Sequence, residues 1–450
     1  METIIAEIWR EFTNKMLEII MEGGTLAKVE AAALREVKAC AAQVVSAYAK
    51  QVDEAIVADK AARRKSGHVV ERRGDERRIQ TELGEICYPR TYFQKASGGY
   101  EYLTDMVLGV DKRQRVSEGL SLSLVRAAKD MSYAKASTHL TGGAISRQTV
   151  MEKVRGSYAE GAPPEPRRQV AELHIDADEA HITLHGGRKS EVPLISIYEG
   201  IEAQGKRRAC KNVFHISAYG KSPDDLWEQA LTEALKRYDL THTRIYLHGD
   251  GARWIRKGLE WFAGATFVLD KYHKNKAIKG MTAGLFLPER KSFDAALRAA
   301  LADEDTALFD RLTMGLYDAL PERTATILEN ARYLKAHIAG ISICATDPGA
   351  NNGGCTEPHV SHVLSARLSA RPMAWSPQTL SQLAPMLAGG NVRKIPTPAP
   401  SMPPPLQNTV ARAKRAFCTR NLGLPAPEAI GRLALSGKVT GTSKILKLLA

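Results

Sequence analysis

The stretch Arg244-Ile-Tyr-Leu-His-Gly-Asp-Gly-Ala-Arg-Trp-Ile255 decides how the middle of the chain is read. Its apolar run, Ile245-Tyr-Leu247, is the start of a buried strand that ends in a carboxylate, Asp250. Gly251 follows, and a helical pattern opens at Trp254 and Ile255. A buried strand that delivers an acid at its carboxyl end, just before a helix, is where open α/β sheets place their chemistry. Gly249 and Gly251 permit a tight exit and a close backbone approach. Capping of the following helix is the competing role for Asp250, so its meaning depends on partners elsewhere in the chain.

Working outward, residues 171–272 alternate between strand and helix. Leu173-His-Ile-Asp-Ala-Asp-Glu-Ala-His-Ile-Thr-Leu184, Val192-Pro-Leu-Ile-Ser-Ile-Tyr198 and Val213-Phe-His-Ile-Ser-Ala218 read as strands, with a basic turn, Lys206-Arg-Arg208, before the last. Pro223 to Tyr238 reads as a helix with proline and acids in its first turn. The strand ending at Asp250, a helix, and the strand Ala265-Thr-Phe-Val-Leu-Asp270 complete the series. Three strands, a helix, a fourth strand, a helix and a fifth strand is the order of a ribonuclease-H-like sheet. The expected fold class is therefore α/β.

The flanks have a different texture. Residues 1–65 read as a helical arm: Ile4, Ile5, Ile8, Trp9 and Phe12 share one face, and the run from Leu26 to Lys60 is alanine-rich. A bundle or a dimerising role suits it better than catalysis. Residues 66–160 read as a DNA-binding region. Arg63-Arg64-Lys65, Arg72-Arg73 and Arg77-Arg78 approach a β-hairpin around Gly84, and a solvated charge run is the alternative to DNA contact. A helix from Ser117 precedes Ser132-Tyr-Ala-Lys-Ala-Ser-Thr-His-Leu140, a turn with Gly142-Gly143, and Ile145-Ser-Arg-Gln-Thr-Val-Met-Glu-Lys-Val-Arg155, which is a helix-turn-helix pattern. Arg147, Gln148 and Thr149 would stand at the start of its second helix to read base edges, with Lys153 and Arg155 on phosphates. Gly161-Ala-Pro-Pro-Glu-Pro166 reads as a linker, and residues 168–280 as the first part of the core. Residues 281–345 are helical in pattern, residues 346–390 return to the core, and 391–450 form a proline-rich spacer and a basic tail.

Composition narrows the class. The net charge of +13 points to an anionic partner, most economically nucleic acid. The six cysteines are scattered, which argues against a disulfide framework. No apolar run reaches membrane-spanning length and the start lacks a signal-peptide pattern, so a cytoplasmic protein is expected, with no membrane partner. Gly220-Lys-Ser222 resembles the end of a phosphate loop but lacks its leading glycine, because position 215 is histidine. Cys344, Cys355, His359 and His362 are zinc-ligand types, although their spacing is unfamiliar and straddles Glu357.

The acids carry the sharper signal. Asp176 and Asp178, two apart on one strand, point to the same face. Asp250 ends a second strand, and Glu357 opens a helix in which Pro358 sits in the first turn. Phosphodiester chemistry by two metals needs clustered carboxylates and hard ions that take oxygen ligands, namely Mg2+ or Mn2+. Like charges at about 4 Å repel by roughly 4 kcal/mol at an effective dielectric of 20, so such a cluster is comfortable only with cations bound.

His174-Ile-Asp-Ala-Asp-Glu-Ala-His181, Leu247-His-Gly-Asp-Gly-Ala-Arg-Trp-Ile255, Leu269-Asp-Lys-Tyr-His-Lys-Asn-Lys276 and the run from Glu357 to Ser376 resemble bacterial insertion-sequence transposases of the ISLre type, which are similar to the Mutator-like branch of the DDE transposases. The resemblance runs from about residue 75 to 385. It implies a ribonuclease-H-like catalytic core with an α-helical insertion between the second Asp and the Glu, preceded by an α-helical and helix-turn-helix region. It implies the catalytic and metal-binding triad Asp178, Asp250 and Glu357, with Asp176 the alternative first acid and two Mg2+ (or Mn2+) ions as cofactors. Asp270 and His273 resemble an auxiliary element of the family, a polar helix start being the other reading of His273. Arg367 and Arg371 are expected on the DNA backbone. The implied partners are double-stranded DNA, both terminal inverted repeats and target, and further copies of the chain, at least a dimer, in a nucleoid-associated bacterial protein. A domesticated, catalytically inactive DNA-binding protein is the competing function; a structure-specific nuclease of the same fold accounts poorly for the N-terminal half.

Overall fold

The computed structural model describes residues 4–23, 25–161, 166–204, 207–395 and 401–422. Linker residues 162–165, Lys206 of the basic turn, the proline-rich 396–400 and the basic tail beyond 422 lie outside them.

In chain order the main elements begin with helices α1 (Ile4–Met21) and α2 (Leu26–Ala58) and strands β1 (His68–Thr81) and β2 (Gly84–Lys95). Three helices follow: α3 (Glu118–Asp130), α4 (Tyr133–Thr141) and α5 (Arg147–Arg155). Then come β3 (Glu172–Thr183), β4 (Lys189–Tyr198), β5 (Phe214–Ser217), α6 (Pro223–Arg237), β6 (Arg244–Gly249) and β7 (Thr266–Leu269). Helices α7 (Lys271–Thr282), α8 (Leu287–Ala302), α9 (Thr306–Ala319), α10 (Thr324–Ala336) and α11 (Ile338–Thr346) intervene before α12 (Thr356–Val360). The last are α13 (Pro377–Leu387) and α14 (Pro404–Leu422). The fold is mixed α/β, mostly helical, with several small sheets and one mixed sheet of five strands.

The chain divides into two compact units. The first comprises residues 1–124, 137–145 and 396–450; the second comprises 125–136 and 146–395. In the first, β1 and β2 form a long antiparallel hairpin closed by Glu82 and Leu83, and the arginine run lies on β1 itself. Its core joins Val52 and Ile56 of α2 to Phe93 of β2 and to Leu406 and Val410 of α14. The tail sequence is too basic to signal this helix. Its apolar positions make sense only against α2, where Thr409 also donates to Asp59 at 2.6 Å. A buried acid, Asp53, is fully used: it accepts from the Thr91 amide and from the hydroxyls of Thr91 and Thr104.

In the second unit the sheet order is β5-β4-β3-β6-β7. β3, β6 and β7 run parallel, whereas β4 is antiparallel to both β3 and β5. Strand alternation sorts β3 into two faces. Leu173, Ile175 and Ala177 join Leu226, Trp227 and Ala230 of α6 and Leu247 of β6 in one apolar core. The even residues, His174, Asp176 and Asp178, take the opposite face. Helix α6 starts where its sequence indicates, with a capping box between Ser222 and Asp225 and Pro223 in the first turn. Helices α7–α11 build a separate apolar cluster around Ile278, Leu301, Phe309, Leu316 and Leu334, anchored to the sheet by Leu269.

Trp227 is fully buried, donates its indole N–H to the Trp254 carbonyl at 2.7 Å and presses against Gly258. Trp227→Ala is expected to destabilise the second unit by about 3–5 kcal/mol, read as a lower urea midpoint.

Candidate active site

The parallel register of β3 and β6 builds the site. Glu172 pairs with Arg244 and Asp176 with His248. Continuing that register by two residues sets Asp178 beside Asp250, on strands about 4.8 Å apart. The next parallel pairing, Gly249 with Leu269, brings Asp270 alongside, and its amide donates to the Gly249 carbonyl at 2.9 Å. Asp250 accepts from the Ala252 amide through Oδ1 at 2.8 Å. The capping role is therefore real but local, and Oδ2 accepts no hydrogen bond among the described residues.

Asp176 and Asp178 share a face of the strand and differ in what they meet. Asp176 is buried, and its oxygens accept from the Tyr198 hydroxyl at 3.0 Å and the Cys355 amide at 2.8 Å. His359 Nδ1 stands 3.3 Å away. Asp176 thereby holds the amino end of α12, the helix that carries Glu357 in its first turn. Among the described residues Asp178 accepts only the adjacent Glu179 amide, at 2.8 Å. Burial pushes its carboxyl up to about 6; the Glu179 amide and His273 pull it down, while the charges of Asp250 and Glu357 add to the rise. The three acids thus share one electrostatic field, which the sequence spacing could not establish.

Asp270 and His273 face the same field. Asp270 Oδ2 accepts from the amides of Tyr272 and His273 and lies 3.3 Å from His273 Nδ1, capping α7. Burial pushes the Asp270 carboxyl up, but hydrogen bonds from His273 carry it below the ordinary value. The hydrogen bond to Asp270 raises His273 against its burial, and Asp178 and Asp250 reinforce the rise. The imidazole is thus held beside three carboxylates that favour its charged form.

Behind the acids lies a polar layer absent from the sequence reading. His174 Nδ1 is 3.1 Å from His248 Nε2, and the His174 ring stacks with those of His248, Tyr198 and Tyr246. Burial lowers His174 to about 3, so it is neutral. Gly353 touches both imidazoles so closely that any Cβ would collide with them. Two more residues escaped the sequence: Tyr333 and His337 of α10 reach the Asp250–Gly251 turn, and no motif surrounds either.

The donor set suits a hard divalent cation, since Asp178, Asp250 and Glu357 offer only oxygens. Among the described residues no group of three or more His, Cys, Asp or Glu side chains is placed to hold a metal ion, Asp178, Asp250 and Glu357 included. Magnesium requires none, because it commonly takes one or two carboxylates and completes its shell with water and phosphate. The zinc-ligand types that the sequence offered with unfamiliar spacing do not assemble: Cys210, rather than Cys344, stands 3.5 Å from His359, and Cys344 lies near Lys274.

The surface candidates divide. Arg147 and Gln148 are exposed at the start of α5, Thr149 and Lys153 are half-buried, and Ser146 caps the helix by accepting the Thr149 amide. Arg155, expected on a phosphate, instead donates to Thr379 and Ser376 at 3.0 and 2.9 Å and fastens the start of α13. Arg367, expected on the DNA backbone, is buried, donates to the Ala128 carbonyl at 2.8 Å and packs on Trp375. Arg371 is exposed. On the hairpin, Arg72 pairs with Asp75 and Arg78 with Glu76 and Glu85, while Arg77 donates to the carbonyls of Asp111 and Gln114. Much of that basic run is therefore already neutralised or engaged.

Because Asp178 holds its proton more tightly folded than unfolded, the native state loses stability as pH rises from about 4 through about 6. In chelator without divalent ions, Asp178→Asn is expected to raise the melting temperature by about 5 °C at pH 7.5 and hardly at all at pH 4. Calorimetry at the two pH values checks this; an equal shift at both would contradict the buried-charge account.

Comparison with known proteins adds a family. The profile described as "Uncharacterised protein family (UPF0236)" matches residues 19–394. UPF0236 protein TTE2489 of Caldanaerobacter subterraneus subsp. tengcongensis is 34% identical over 356 residues, covering 76% of this chain and 75% of its own length. A second protein of that organism is 32% identical over 397 residues, covering 86% of this chain and 83% of its own, and its name joins eleven locus designations, from TTE0033 to TTE2212. With a profile match across most of its length and relatives of this identity and coverage, the chain belongs to the UPF0236 family.

Proposed function

We propose that the protein is a DDE transposase, a ribonuclease-H-like polynucleotidyl transferase that cuts and joins DNA at the ends of an insertion sequence. The observation that carries this reading is the adjacency of Asp178 and Asp250 across two parallel strands, with the Glu357 charge in the same field. The strand order β5-β4-β3-β6-β7, with only β4 antiparallel to its neighbours, agrees with a ribonuclease-H-like core. The helices α8–α11 between β7 and α12 agree with an insertion before the catalytic Glu. One relative under eleven locus designations in a single organism is what a sequence that multiplies within a genome leaves behind.

In this reading Asp178, Asp250 and Glu357 would hold two Mg2+ ions, which would supply charge neutralisation and activation of water when bound. Asp178 and Asp250, fixed on neighbouring strands, orient the scissile phosphate for in-line attack. Asp176 keeps α12, and so Glu357, at the correct height above the sheet. His273, whose charged form the hydrogen bond to Asp270 favours, faces the phosphate as a hydrogen-bond donor. Hydrolysis frees a 3′-hydroxyl at the element end. That oxygen then attacks a target phosphodiester, forming one P–O bond while another breaks. Arg147, Gln148 and Thr149 read the terminal repeats; Arg155 and Arg367 take no part in DNA binding.

Asp250→Asn is expected to reduce magnesium-dependent nicking of the element's ends at least a thousandfold while leaving retention of the same DNA unchanged. A wild-type chain that binds the ends and never cuts them would replace this reading with that of a DNA-binding regulator. DNA affinity should fall with a log–log salt slope of about −0.9 per phosphate contacted, and Arg147→Ala should lessen the slope by about one contact or relax end selectivity. A salt-insensitive complex would contradict the role given to the positive charge.

A further inference from the structure

The helices inserted between β7 and α12 do more than separate Asp250 from Glu357. Helix α10 turns Tyr333 and His337, one helical turn apart, toward the residues that follow β6. The Tyr333 hydroxyl donates to the Asp250 carbonyl at 2.7 Å. His337 Nδ1 lies 2.8 Å from the Tyr333 carbonyl, a contact that places the ring hydrogen on Nδ1. The Nε2 edge of the ring then rests against Gly251. Its ring also packs on Phe267 of β7 at 6.0 Å and on Tyr333 at 4.9 Å, so it cannot swing aside freely.

Gly251 is fitted to this contact twice over. Its φ of +90° favours glycine, and a Cβ there would run into the imidazole. The turn that aims the Asp250 carboxylate is therefore gripped on its carbonyl side by a hydroxyl and on its Cα side by a ring. Both come from an element that sequence places far away. Burial raises the Tyr333 phenol well above its ordinary range, and the charges of Asp250, Asp270 and Asp178 reinforce this, so it remains a donor wherever the protein is folded.

We propose that Tyr333 and His337 are positioning residues that clamp the Asp250–Gly251 turn, making the helical insertion part of the site's geometry. The clamp concerns backbone order; its consequence for metal binding rests on the transposase reading of Asp250. Neither side chain needs to touch the reacting phosphate. A turn left free to rock would let the Asp250 carboxylate wander from the shared cation position and weaken binding there, since a misplacement of about 1 Å at a reacting centre costs on the order of a hundredfold.

The test uses the full chain and the isosteric variant Tyr333→Phe, which removes one hydroxyl and little packing. Tyr317→Phe, from α9 of the same helical cluster, is the control. Three quantities are read: hydrogen exchange of amides 250–254, the midpoint of Mn2+ titration, and magnesium-dependent cleavage of element ends. Tyr333→Phe is expected to speed exchange at the turn about tenfold, the loss of one hydrogen bond. It should also raise the Mn2+ midpoint severalfold and reduce cleavage at least tenfold, with DNA retention unchanged. Tyr317→Phe should match wild type throughout. Exchange and Mn2+ midpoint both unchanged in Tyr333→Phe would overturn the clamp whatever the cleavage rate. Faster exchange in a chain whose wild type neither binds Mn2+ nor cuts DNA would support the clamp and remove the transposase reading instead. Gly251→Ala should collide with the ring, and His337→Ala in that background should restore part of the exchange protection; restoration no greater than with Tyr317→Phe would count against the wedge.

Discussion

The site depends on one constraint: two carboxylates are forced into neighbouring positions by the pairing of parallel strands. The register joining β3 to β6 is paired up to Asp176 and His248, and from there the two strands carry Asp178 and Asp250 toward the same end of the sheet. Burial pushes the Asp178 carboxyl up to about 6, and the charges of Asp250 and Glu357 add to the rise. A fold that retains such a pair gives up stability at neutral pH, and sites of this kind are commonly functional. The third acid reaches the field by another route, because Glu357 rides on a short helix whose amino end Asp176 grips.

Around this pair the molecule separates rigidity from chemistry. Asp176, Tyr198 and the Cys355 amide form a buried hydrogen-bonded cluster with His174 and His248 stacked beneath it, although His174 Nε2 and His359 Nδ1 have no hydrogen-bond partner among the described residues. Such networks specify one arrangement when every member is partnered. Asp178 and Glu357, by contrast, have few partners of their own. Groups left under-bonded at the end of a rigid sheet remain available to a ligand, and His273 beside them has its charged form favoured by Asp270.

The strands and helices of the second unit were legible because each carries a clean period: alternation along β3, apolar runs in β6 and β7, and a capping box at α6. Within the site, the sequence offered Asp176 and Asp178 as equals on one face. Only their neighbours separate them, one meeting a tyrosine and a helix amide and the other meeting acids. Two arginines show the reverse limit. Arg155 and Arg367 look like surface cations in a basic chain, yet each is consumed by hydrogen bonds to residues more than 200 positions away. Charge along a sequence says nothing about which cations a fold has already used, and the hairpin's self-paired arginines repeat the lesson.

By itself the sequence determined the kinds of element, their order, and the residues able to bind hard cations, because these follow from local periodicity and side-chain chemistry. The tertiary structure decided which acids share a field, which arginines are free for a partner, that α14 packs on α2, and that Tyr333 and His337 reach the Asp250 turn. Those facts arise from contacts between segments distant along the chain. Such contacts are set by strand register and by how apolar faces close on one another, and neither leaves a trace in the spacing of residues along a single element.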